Sequence, residues 1–210
     1  MGRYTGPVEK LSRREGIELY LKGERMLLGK SGIERRGPTP PGQHGQRRQT
    51  RPSIYATQLR EKQRAKRYYG VREKQFRRYV REAQRQREER MGDELLARLE
   101  RRLDNVLYRL GFASTRAQAR QFVNHGHVVV NGRRTDIASF LVDEGHVVML
   151  RPDSPVEHLA RTATETVAQL PGWLEADFDS LTGRILRRPG RGDLTAPVDV
   201  QLIVEFYSRR

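Results

Sequence analysis

Apolar residues recur at helical spacing in the first half of the chain. Ser53 is a candidate N-cap for a helix that runs to about Tyr69 and is closed by Gly70. A second helix is predicted from about Arg72, because apolar residues follow at i, i+3, i+4 and i+7: Phe76, Tyr79, Val80 and Ala83. Lys and Arg surround both stripes, so both helices are expected to be amphipathic with a basic side.

The clearest periodic stretch predicts one continuous helix over 93–110. Its buried face comprises Leu95, Leu99, Leu103, Val106 and Leu110. Gly111 follows as a stop signal. A different face carries polar residues at the same spacing: Arg98, Arg102, Asn105 and Arg109.

The next residues predict a compact unit over about 95–151. Ser114 and Thr115 compete as the cap of a helix that Gly126 ends, and Gln118 fits a capping box with Thr115. Residues 127–134 predict a hairpin, because the pair at 131–132, Asn-Gly, suits a type I′ turn, and a further strand is predicted at 146–150. Six arginines should converge on one side of this unit: Arg102, Arg109, Arg116, Arg120, Arg133 and Arg134.

The C-terminal third adds short elements. Ser154, Pro155 and Glu157 favour a helix start, with Ser154 as the cap. Short strands are predicted at 173–174 and 183–186, and a final helix begins at Pro197. Helices combined with a small sheet predict an α+β fold.

Residues 1–50 are rich in Gly, Pro and Arg. The stretch at 37–45, Gly-Pro-Thr-Pro-Pro-Gly-Gln-His-Gly, is incompatible with a helix or a central strand. We therefore predict an extended, basic N-terminal segment over 1–50 that orders against a partner which neutralises its charge.

Composition indicates a polyanionic partner. The 210 residues include 41 Lys and Arg against 26 Asp and Glu, a net charge of +15, and no Cys. The lack of Cys excludes disulfides, thiolate zinc sites and cysteine nucleophiles. The excess lies in residues 1–92, whereas 135–210 carry 8 Arg against 12 acidic residues. The leading prediction is that this positive charge binds nucleic acid. The alternative is that the basic surface serves only solubility. The acidic C-terminal third can contact a basic protein or simply be solvated.

Arginine outnumbers lysine 35 to 6. Guanidinium groups fork onto phosphate and stack on bases, which favours RNA binding. Codon bias in a GC-rich genome explains the excess equally well, because it extends into the acidic third. No apolar run reaches membrane-spanning length and no signal core begins the chain, so we expect a cytoplasmic protein.

Five stretches carry a family resemblance. Residues 102–132 read Arg-Leu-Asp-Asn-Val-Leu-Tyr-Arg-Leu-Gly-Phe-Ala-Ser-Thr-Arg-Ala-Gln-Ala-Arg-Gln-Phe-Val-Asn-His-Gly-His-Val-Val-Val-Asn-Gly. The others are Met-Gly-Arg-Tyr-x-Gly-Pro at 1–7, Pro-Pro-Gly-Gln-His-Gly at 40–45, Leu-Arg-Glu-Lys-Gln at 59–63 and Gln-Leu-Ile-Val-Glu-Phe-Tyr-Ser-Arg at 201–209. Over essentially the whole chain they resemble the bacterial small-subunit ribosomal protein S-four family. The first stretch alone is shared with other RNA-binding proteins.

The resemblance implies a structural component of the small ribosomal subunit. The sequence offers no phosphate loop, thiol, metal-ligand cluster or paired base and nucleophile, so we expect neither enzymatic activity nor a cofactor. The resemblance also implies primary binding to the 5′ domain of small-subunit ribosomal RNA, nucleation of assembly and a contribution to translational accuracy. It further implies a place beside ribosomal proteins S-three and S-five at the channel through which messenger RNA enters, and repression of its own messenger in some bacteria. The implied fold is a helical domain over 51–94, completed by the C-terminal helix within 190–210. A small RNA-binding domain of two helices packed on a short twisted sheet is inserted at 95–189, with its core module at about 98–160.

Some members of this family carry four zinc-binding cysteines near the N-terminus. The matching positions here are Glu9, Ser12, Met26 and Ser31, which are not a useful set of zinc ligands. We therefore expect no metal, and a turn held by local packing and by RNA.

The candidate RNA contacts fall into groups. A rigid helix and hairpin carry the first candidates for phosphate: Arg116, Arg120, Arg133 and Arg134. A flexible basic segment comes next: Gln43, His44, Arg47, Arg48 and Arg51. Stacking on bases is open to Tyr55, Tyr68 and Tyr69, although core packing is the stronger expectation for at least one of them. The set is completed by Arg3, Arg13, Arg35, Arg36, Lys62, Arg67, Arg102, Arg109, Ser114, Gln118, Gln121, His125, His127 and Asn131.

Two short motifs suggest other chemistry. His125 and His127 invite a metal interpretation, but no Cys or carboxylate accompanies them at ligand spacing, so a polar cap over the helix end fits better. Arg102-Leu-Asp104 is similar to a triplet of pseudouridine synthases, in which the Asp is a nucleophile. Here the triplet lies in an amphipathic helix, so Asp104 is expected to order a neighbouring Arg instead.

Two alternative functions remain at this point. An RNA-modifying enzyme that docks through the module would need a pocket with paired catalytic groups, which the sequence does not offer. A free regulator that binds RNA by charge alone would bind weakly and without sequence preference. It would not account for the well-specified caps and turns.

Overall fold

The computed structural model describes residues 4–46, 51–86, 88–166 and 169–208. The chain divides into a first unit, Met1–Leu95 with Ala196–Arg210, and a second unit, Leu96–Thr195. Helices combined with an antiparallel sheet confirm the α+β class. None of the helices in these described ranges is long and apolar enough to cross a membrane.

The elements follow in chain order. The helices are α1 (Glu9–Glu15), α2 (Glu24–Leu27), α3 (Gly32–Arg36), α4 (Ile54–Tyr68), α5 (Glu73–Ala83), α6 (Glu88–Glu100), α7 (Leu103–Arg109), α8 (Arg116–Asn124), α9 (Glu157–Thr164) and α10 (Val200–Ser208). The strands are β1 (Val128–Val130), β2 (Arg133–Arg134), β3 (Val147–Leu150), β4 (Leu174–Asp177) and β5 (Thr182–Ile185). Single 3-10 turns occupy Gln43–Gln46 and Arg191–Asp193.

In the first unit, α4 and α5 form as the caps and apolar stripes predict. The Ser53 hydroxyl accepts the Ala56 backbone N–H at 3.2 Å and starts α4. The predicted stripe of α5 is buried throughout.

The final helix, α10, forms too, but it begins at Val200 and not at Pro197, because the Asp199 carboxylate accepts the Gln201 backbone N–H at 3.0 Å. Phe206 of α10 packs against Tyr55 of α4, with ring centroids 5.7 Å apart. Burial of Phe206 against α4 and a hydrogen bond from the Gln58 amide to Glu205 at 2.9 Å thus hold the C-terminal helix.

Glu73 lies at the centre of an ion cluster in the first unit. Lys62 and Lys66 donate to its carboxylate at 3.0 and 2.9 Å, and the Tyr207 hydroxyl lies 3.3 Å away. Burial alone raises the pKa of Glu73, but the hydrogen bonds from the two lysines outweigh it and lower the pKa to about 2. The ionised form of Glu73 therefore stabilises the fold.

We expect the contribution of Glu73 to disappear in acid. Its pKa is depressed on folding, so the stabilisation is complete above the ordinary pKa of 4.5 and is lost as pH falls toward 2. Since a third of the side chain is exposed, we expect Glu73→Gln to cost about 1–2 kcal/mol at pH 7 and almost nothing near pH 2. Urea unfolding followed by helical circular dichroism measures both. Glu144→Gln, on an exposed turn, is the control, and an equal loss for Glu73→Gln at both pH values contradicts the prediction.

The prediction of an extended segment over 1–50 is wrong for much of its described part. Helices α1, α2 and α3 form there, and the predicted irregular course is followed at 16–23, 28–31 and 37–42. The helices are short and gain stability from tertiary bonds that the sequence pattern does not reveal. The Glu9 carboxylate of α1, for example, accepts the Gly32 backbone N–H of α3 at 2.7 Å.

The single helix predicted over 93–110 is interrupted at Arg101 and Arg102. Arg102 is extended, with ψ of 136°, and separates α6 from α7. A loop of the second unit takes up the freed backbone groups: Leu103 N–H donates to Phe140 O at 2.8 Å, and Val142 N–H donates to Arg101 O at 2.9 Å. The predicted apolar face is nevertheless fully buried. Backbone hydrogen bonds to the loop around Phe140 thus replace two hydrogen bonds of a continuous helix. The apolar residues on either side of the break still face the same core, so the hydrophobic pattern is unchanged.

The second unit contains an antiparallel sheet of order β2-β1-β3-β5-β4. Asn131 and Gly132 have φ of 48° and 76°, which confirms a turn with two positive φ angles between β1 and β2. One core cluster joins residues of α7 and α8 with residues of the sheet and with Trp173. Packing is close enough that a Cβ on Gly183 would lie 2.5 Å from the Leu110 side chain. Two helices thus cover one face of the sheet, as predicted.

Ser154 does not cap α9. The helix starts at Glu157 after Val156, which makes no side-chain cap bond. The Ser154 hydroxyl is instead 3.0 Å from Nδ1 of His127. The Ser154 side chain therefore contacts His127, in the turn that follows α8, and does not contact the start of α9.

Candidate nucleic-acid interface

Asp104 forms a buried ion pair in the second unit. Its carboxylate accepts from Nε and Nη2 of Arg102 at 2.9 and 2.6 Å, and Arg120 lies 3.6 Å away. The Arg102 residue is only 1% exposed. This confirms that Asp104 orders neighbouring arginines. Two cations and one carboxylate in the interior hold α8 against α7.

A second polar network continues from Glu100. Its carboxylate accepts two bonds from Arg109, at 2.9 and 2.7 Å, and one from the Asn105 amide at 2.7 Å. The Asn105 carbonyl oxygen in turn accepts from Nε of Arg116 at 2.7 Å. The Arg116 guanidinium also lies over the Tyr108 ring, 4.3 Å from its centroid. The network links the end of α6, α7 and the start of α8.

These contacts change the picture of the six converging arginines. Four of them, Arg102, Arg109, Arg116 and Arg120, are engaged with protein groups and are largely removed from solvent. Arg102 in particular has no surface to offer RNA, which corrects the expectation drawn from its helical spacing. Helical spacing correctly indicated that these arginines share a polar face. That face, however, lies inside the second unit and not on its surface.

The other two arginines lie on an exposed edge of the second unit. Arg133 and Arg134 form β2, and both are exposed. Neither forms an ion pair with a carboxylate in the part of the chain that the structure describes. We call β2, the turn residue Asn131 and the exposed end of α8 with Gln121 and His125 the hairpin surface.

Two candidates near this surface have local structural roles. The Thr115 hydroxyl caps α8 by accepting the Gln118 backbone N–H at 3.1 Å, which decides between the two possible caps. The Gln118 side chain accepts the Ser114 backbone N–H at 2.8 Å. Both bonds define where α8 begins and therefore where its polar end projects.

Arg151 was missed by sequence reasoning. It follows β3, and its backbone N–H donates to His127 O at 2.8 Å. The register Val128↔Leu150 places it beside the residue that precedes β1. Pairing the two predicted strands would have revealed this neighbour, but the register cannot be read from either strand alone.

The candidates of the first unit divide in the same way. Lys62 and Tyr68 are internal: Lys62 binds Glu73, and Tyr68 packs edge-on against Tyr69. Arg67 is half-buried, and its guanidinium binds the buried carboxylate of Glu15. Burial removes the first two from the surface that RNA would meet, and the ion pair engages the third. Arg13 is half-buried and donates to Thr39 at 3.4 Å. The exposed candidates are Arg35, Arg36, Gln43, His44, Arg51 and Tyr55. Arg3, Arg47 and Arg48 lie outside the described residues.

The positions that match zinc ligands in some relatives make polar bonds here. Glu9 binds the backbone of α3, and Ser31 caps α3 by accepting the Glu34 backbone N–H at 3.1 Å. Ser12 is buried, and Met26 lies beside it in the lining of a shallow hollow. Within the described ranges no three His, Asp or Glu side chains are grouped as metal ligands would be. Local packing thus ties α1 to α3.

Comparison with known proteins agrees with this arrangement. The family model described as the ribosomal protein S4/S9 N-terminal domain matches residues 3–100, and the S4 domain model matches residues 101–148. Small ribosomal subunit protein uS4A of Symbiobacterium thermophilum is 54% identical over the full length of both chains. Small ribosomal subunit protein uS4 of Thermus thermophilus is 51% identical, also over the full length of both. The chain belongs to the uS4 family. It is a cysteine-free member, and the S4 domain match begins at the break between α6 and α7.

Proposed function

We propose that this uS4-family chain is a structural component of the small ribosomal subunit and binds its ribosomal RNA. The observation that carries the proposal is the division of the arginines in the second unit. Asp104 and Glu100 neutralise Arg102, Arg120 and Arg109 inside the unit. Arg133 and Arg134 instead project from a rigid strand with no carboxylate partner among the described residues. Exposed, unneutralised guanidinium groups on a fixed backbone suit RNA phosphates.

The finer functions rest on the family. We propose primary binding to the 5′ domain of small-subunit ribosomal RNA, nucleation of assembly and a contribution to translational accuracy. We also propose a place at the channel through which messenger RNA enters, beside ribosomal protein S-three, and repression of the chain's own messenger. The relatives are named as small ribosomal subunit proteins, which supports the ribosomal setting.

The first unit offers a second basic surface for the same RNA. Arg35 and Arg36 at the end of α3 are exposed, and so are Gln43 and His44 on the following turn. The residue Tyr55 is 52% exposed, which leaves room for a base to stack on the side of its ring that does not face Phe206. We propose that these residues, together with Arg3, Arg47, Arg48 and Arg51, add affinity, while 95–189 acts as the inserted RNA-binding domain.

The edge of the sheet formed by β4, opposite to β2, is acidic and can contact a basic protein. Glu175, Asp177 and Asp179 are exposed on and after β4, beside the partly exposed ring of Phe178. Hydrogen bonds from the Ser180 side chain and from backbone N–H groups lower the pKa of Asp177, so this carboxylate stays ionised. We propose that this acidic tip faces ribosomal protein S-five.

The decisive experiment compares two RNAs. The protein is titrated against transcribed 5′-domain ribosomal RNA and against a scrambled RNA of equal length, across a salt series. A dedicated binder should keep an advantage of roughly a hundredfold or more for the native RNA at physiological salt. If both RNAs bind alike and lose affinity in parallel with salt, the specific ribosomal function fails and charge-only regulation takes its place.

The uS4 family is not a class of enzymes, which argues against the RNA-modifying alternative. The one feature that pointed to catalysis was Asp104. The residue Asp104 is only 3% exposed, and its carboxylate is paired with two arginines. A substrate therefore cannot reach it. Incubation with 5′-domain RNA followed by nucleoside analysis would reveal any modified base and would reopen that alternative.

A further inference from the structure

We propose that Arg134, Arg151, His125 and His127 form one phosphate-binding cluster and that His127 holds the phosphate in its protonated form. This proposal rests on the RNA-binding function proposed above. It adds Arg151 to the binding residues, and it adds the uptake of one proton to the binding reaction. The ligand is an RNA backbone phosphate, because all four side chains supply donors and none supplies a base-reading acceptor in its charged form.

The four groups come from three elements that meet around the turn after α8. His125 and His127 flank Gly126, with ring centroids 6.1 Å apart. The Arg134 guanidinium lies against Gly126, so closely that a Cβ on this residue would be 2.2 Å from Nε of Arg134. Gly126 also has φ of 74°, so its conformation and its lack of a side chain both serve this approach. The cluster is thus built on a turn that only glycine fits.

Arg151 completes the cluster from the end of β3. Its backbone is bonded to His127, and its side chain is exposed. Among the described residues it has no carboxylate partner, and the same holds for Arg134. The Arg134 guanidinium therefore lies against the turn that carries both imidazoles, and the charge of Arg151 is near enough to act on His127.

The electrostatics of His127 identify it as the group that responds to a ligand. Burial lowers the pKa of His127, and Arg151, His125 and Arg134 lower it further, while no carboxylate of the described residues opposes them. The Ser154 hydroxyl at its Nδ1 can donate to the neutral ring or accept from the charged one. His127 is therefore largely neutral in the free protein above pH 6.5, and its ring is held in place in either state.

A bound phosphate reverses this balance. Its negative charge offsets the neighbouring guanidinium charges and favours the protonated imidazole, so the pKa of His127 rises on binding. The bound state then carries more protons than the free state between the two pKa values, and affinity must increase as pH falls through that window. Above the bound pKa the affinity is independent of pH.

The test measures affinity for transcribed 5′-domain RNA at pH 7.5 and pH 5.5 with the full chain. One proton can change affinity by at most about tenfold per pH unit, and we expect roughly three- to tenfold tighter binding at pH 5.5. His127→Asn, which keeps a partner for Ser154, should remove most of this pH dependence. Arg151→Gln should weaken binding at pH 7.5 by about three- to tenfold and reduce the salt slope by about 0.7–0.9.

Matched controls lie on α9, outside the cluster. His158→Asn and Arg161→Gln make the same chemical changes at exposed positions and should leave affinity and its pH dependence as in the parent. The imidazole resonance of His127, assigned by its loss in His127→Asn, should titrate at a higher pH with RNA bound than without it. Full pH dependence in His127→Asn, or an unshifted resonance, overturns the cluster. Loss of preference for native over scrambled RNA would instead overturn the proposed function itself.

Discussion

Replacing Asp104 with asparagine is expected to destabilise the second unit by about 3–5 kcal/mol, because it leaves Arg102 charged and without its counter-ion in the interior. Asp104 binds Arg102 through two hydrogen bonds and attracts Arg120, and both it and Arg102 are almost completely buried. Trp173 is the only tryptophan of the chain and lies in the core of this unit. Its fluorescence during urea unfolding therefore reports the stability of the second unit alone.

Two further variants test whether the effect comes from the ion pair. Asp136→Asn removes an exposed carboxylate of the same unit and should change stability by less than about 0.5 kcal/mol. The double variant Arg102→Met with Asp104→Leu removes both charges and should recover at least half of the loss, since an apolar pair of similar volume can replace a buried ion pair. An unchanged unfolding midpoint for Asp104→Asn would show that the pair is not structurally important.

Replacing Arg133 and Arg134 together with glutamine is expected to weaken binding to 5′-domain RNA by roughly 30- to 150-fold at physiological salt. The estimate assigns about 1–1.5 kcal/mol to each guanidinium–phosphate contact. Two lost phosphate contacts should also reduce the slope of log affinity against log salt by about 1.4–1.8. Both side chains are exposed and lack carboxylate partners in the described ranges, so the Trp173 unfolding curve should be unchanged.

A matched double variant separates this effect from simple loss of charge. Arg161→Gln with Arg187→Gln removes two exposed arginines of the same unit that already pair with Glu157 and Asp193. We expect less than a threefold change in RNA affinity from this control. If it weakens binding as strongly as the β2 variant, net charge rather than the hairpin surface attracts the RNA.

The sequence predicted the elements whose signals are local. The Ser53 cap, the apolar stripe of α5, the Thr115–Gln118 box and the Asn131–Gly132 turn all reappear in the structure. Each depends on residues within about one helical turn or one hairpin, so backbone geometry and side-chain chemistry act over the same short range. Motif spacing over the whole length also identified the uS4 family correctly.

Hydrogen bonds between segments that are far apart in the chain could not be predicted from the sequence. The break between α6 and α7 depends on a loop around Phe140, and α1 and α3 are joined by a bond from Glu9 to Gly32. Neither partner carries a mark of the other in its own segment. Helix periodicity alone therefore predicts one helix through Arg102, and Gly and Pro content alone predicts an extended segment over 1–50.

The candidate site shows the same division. Composition and spacing by themselves determined that the chain is basic, that its arginines cluster at 102–134 and that a rigid hairpin presents some of them. Only the tertiary structure decided which arginines remain available, because availability depends on whether a carboxylate from another element reaches the guanidinium. Asp104 and Glu100 reach Arg102 and Arg109, no carboxylate of the described chain reaches Arg134 or Arg151, and the sheet register alone brings those two beside His127.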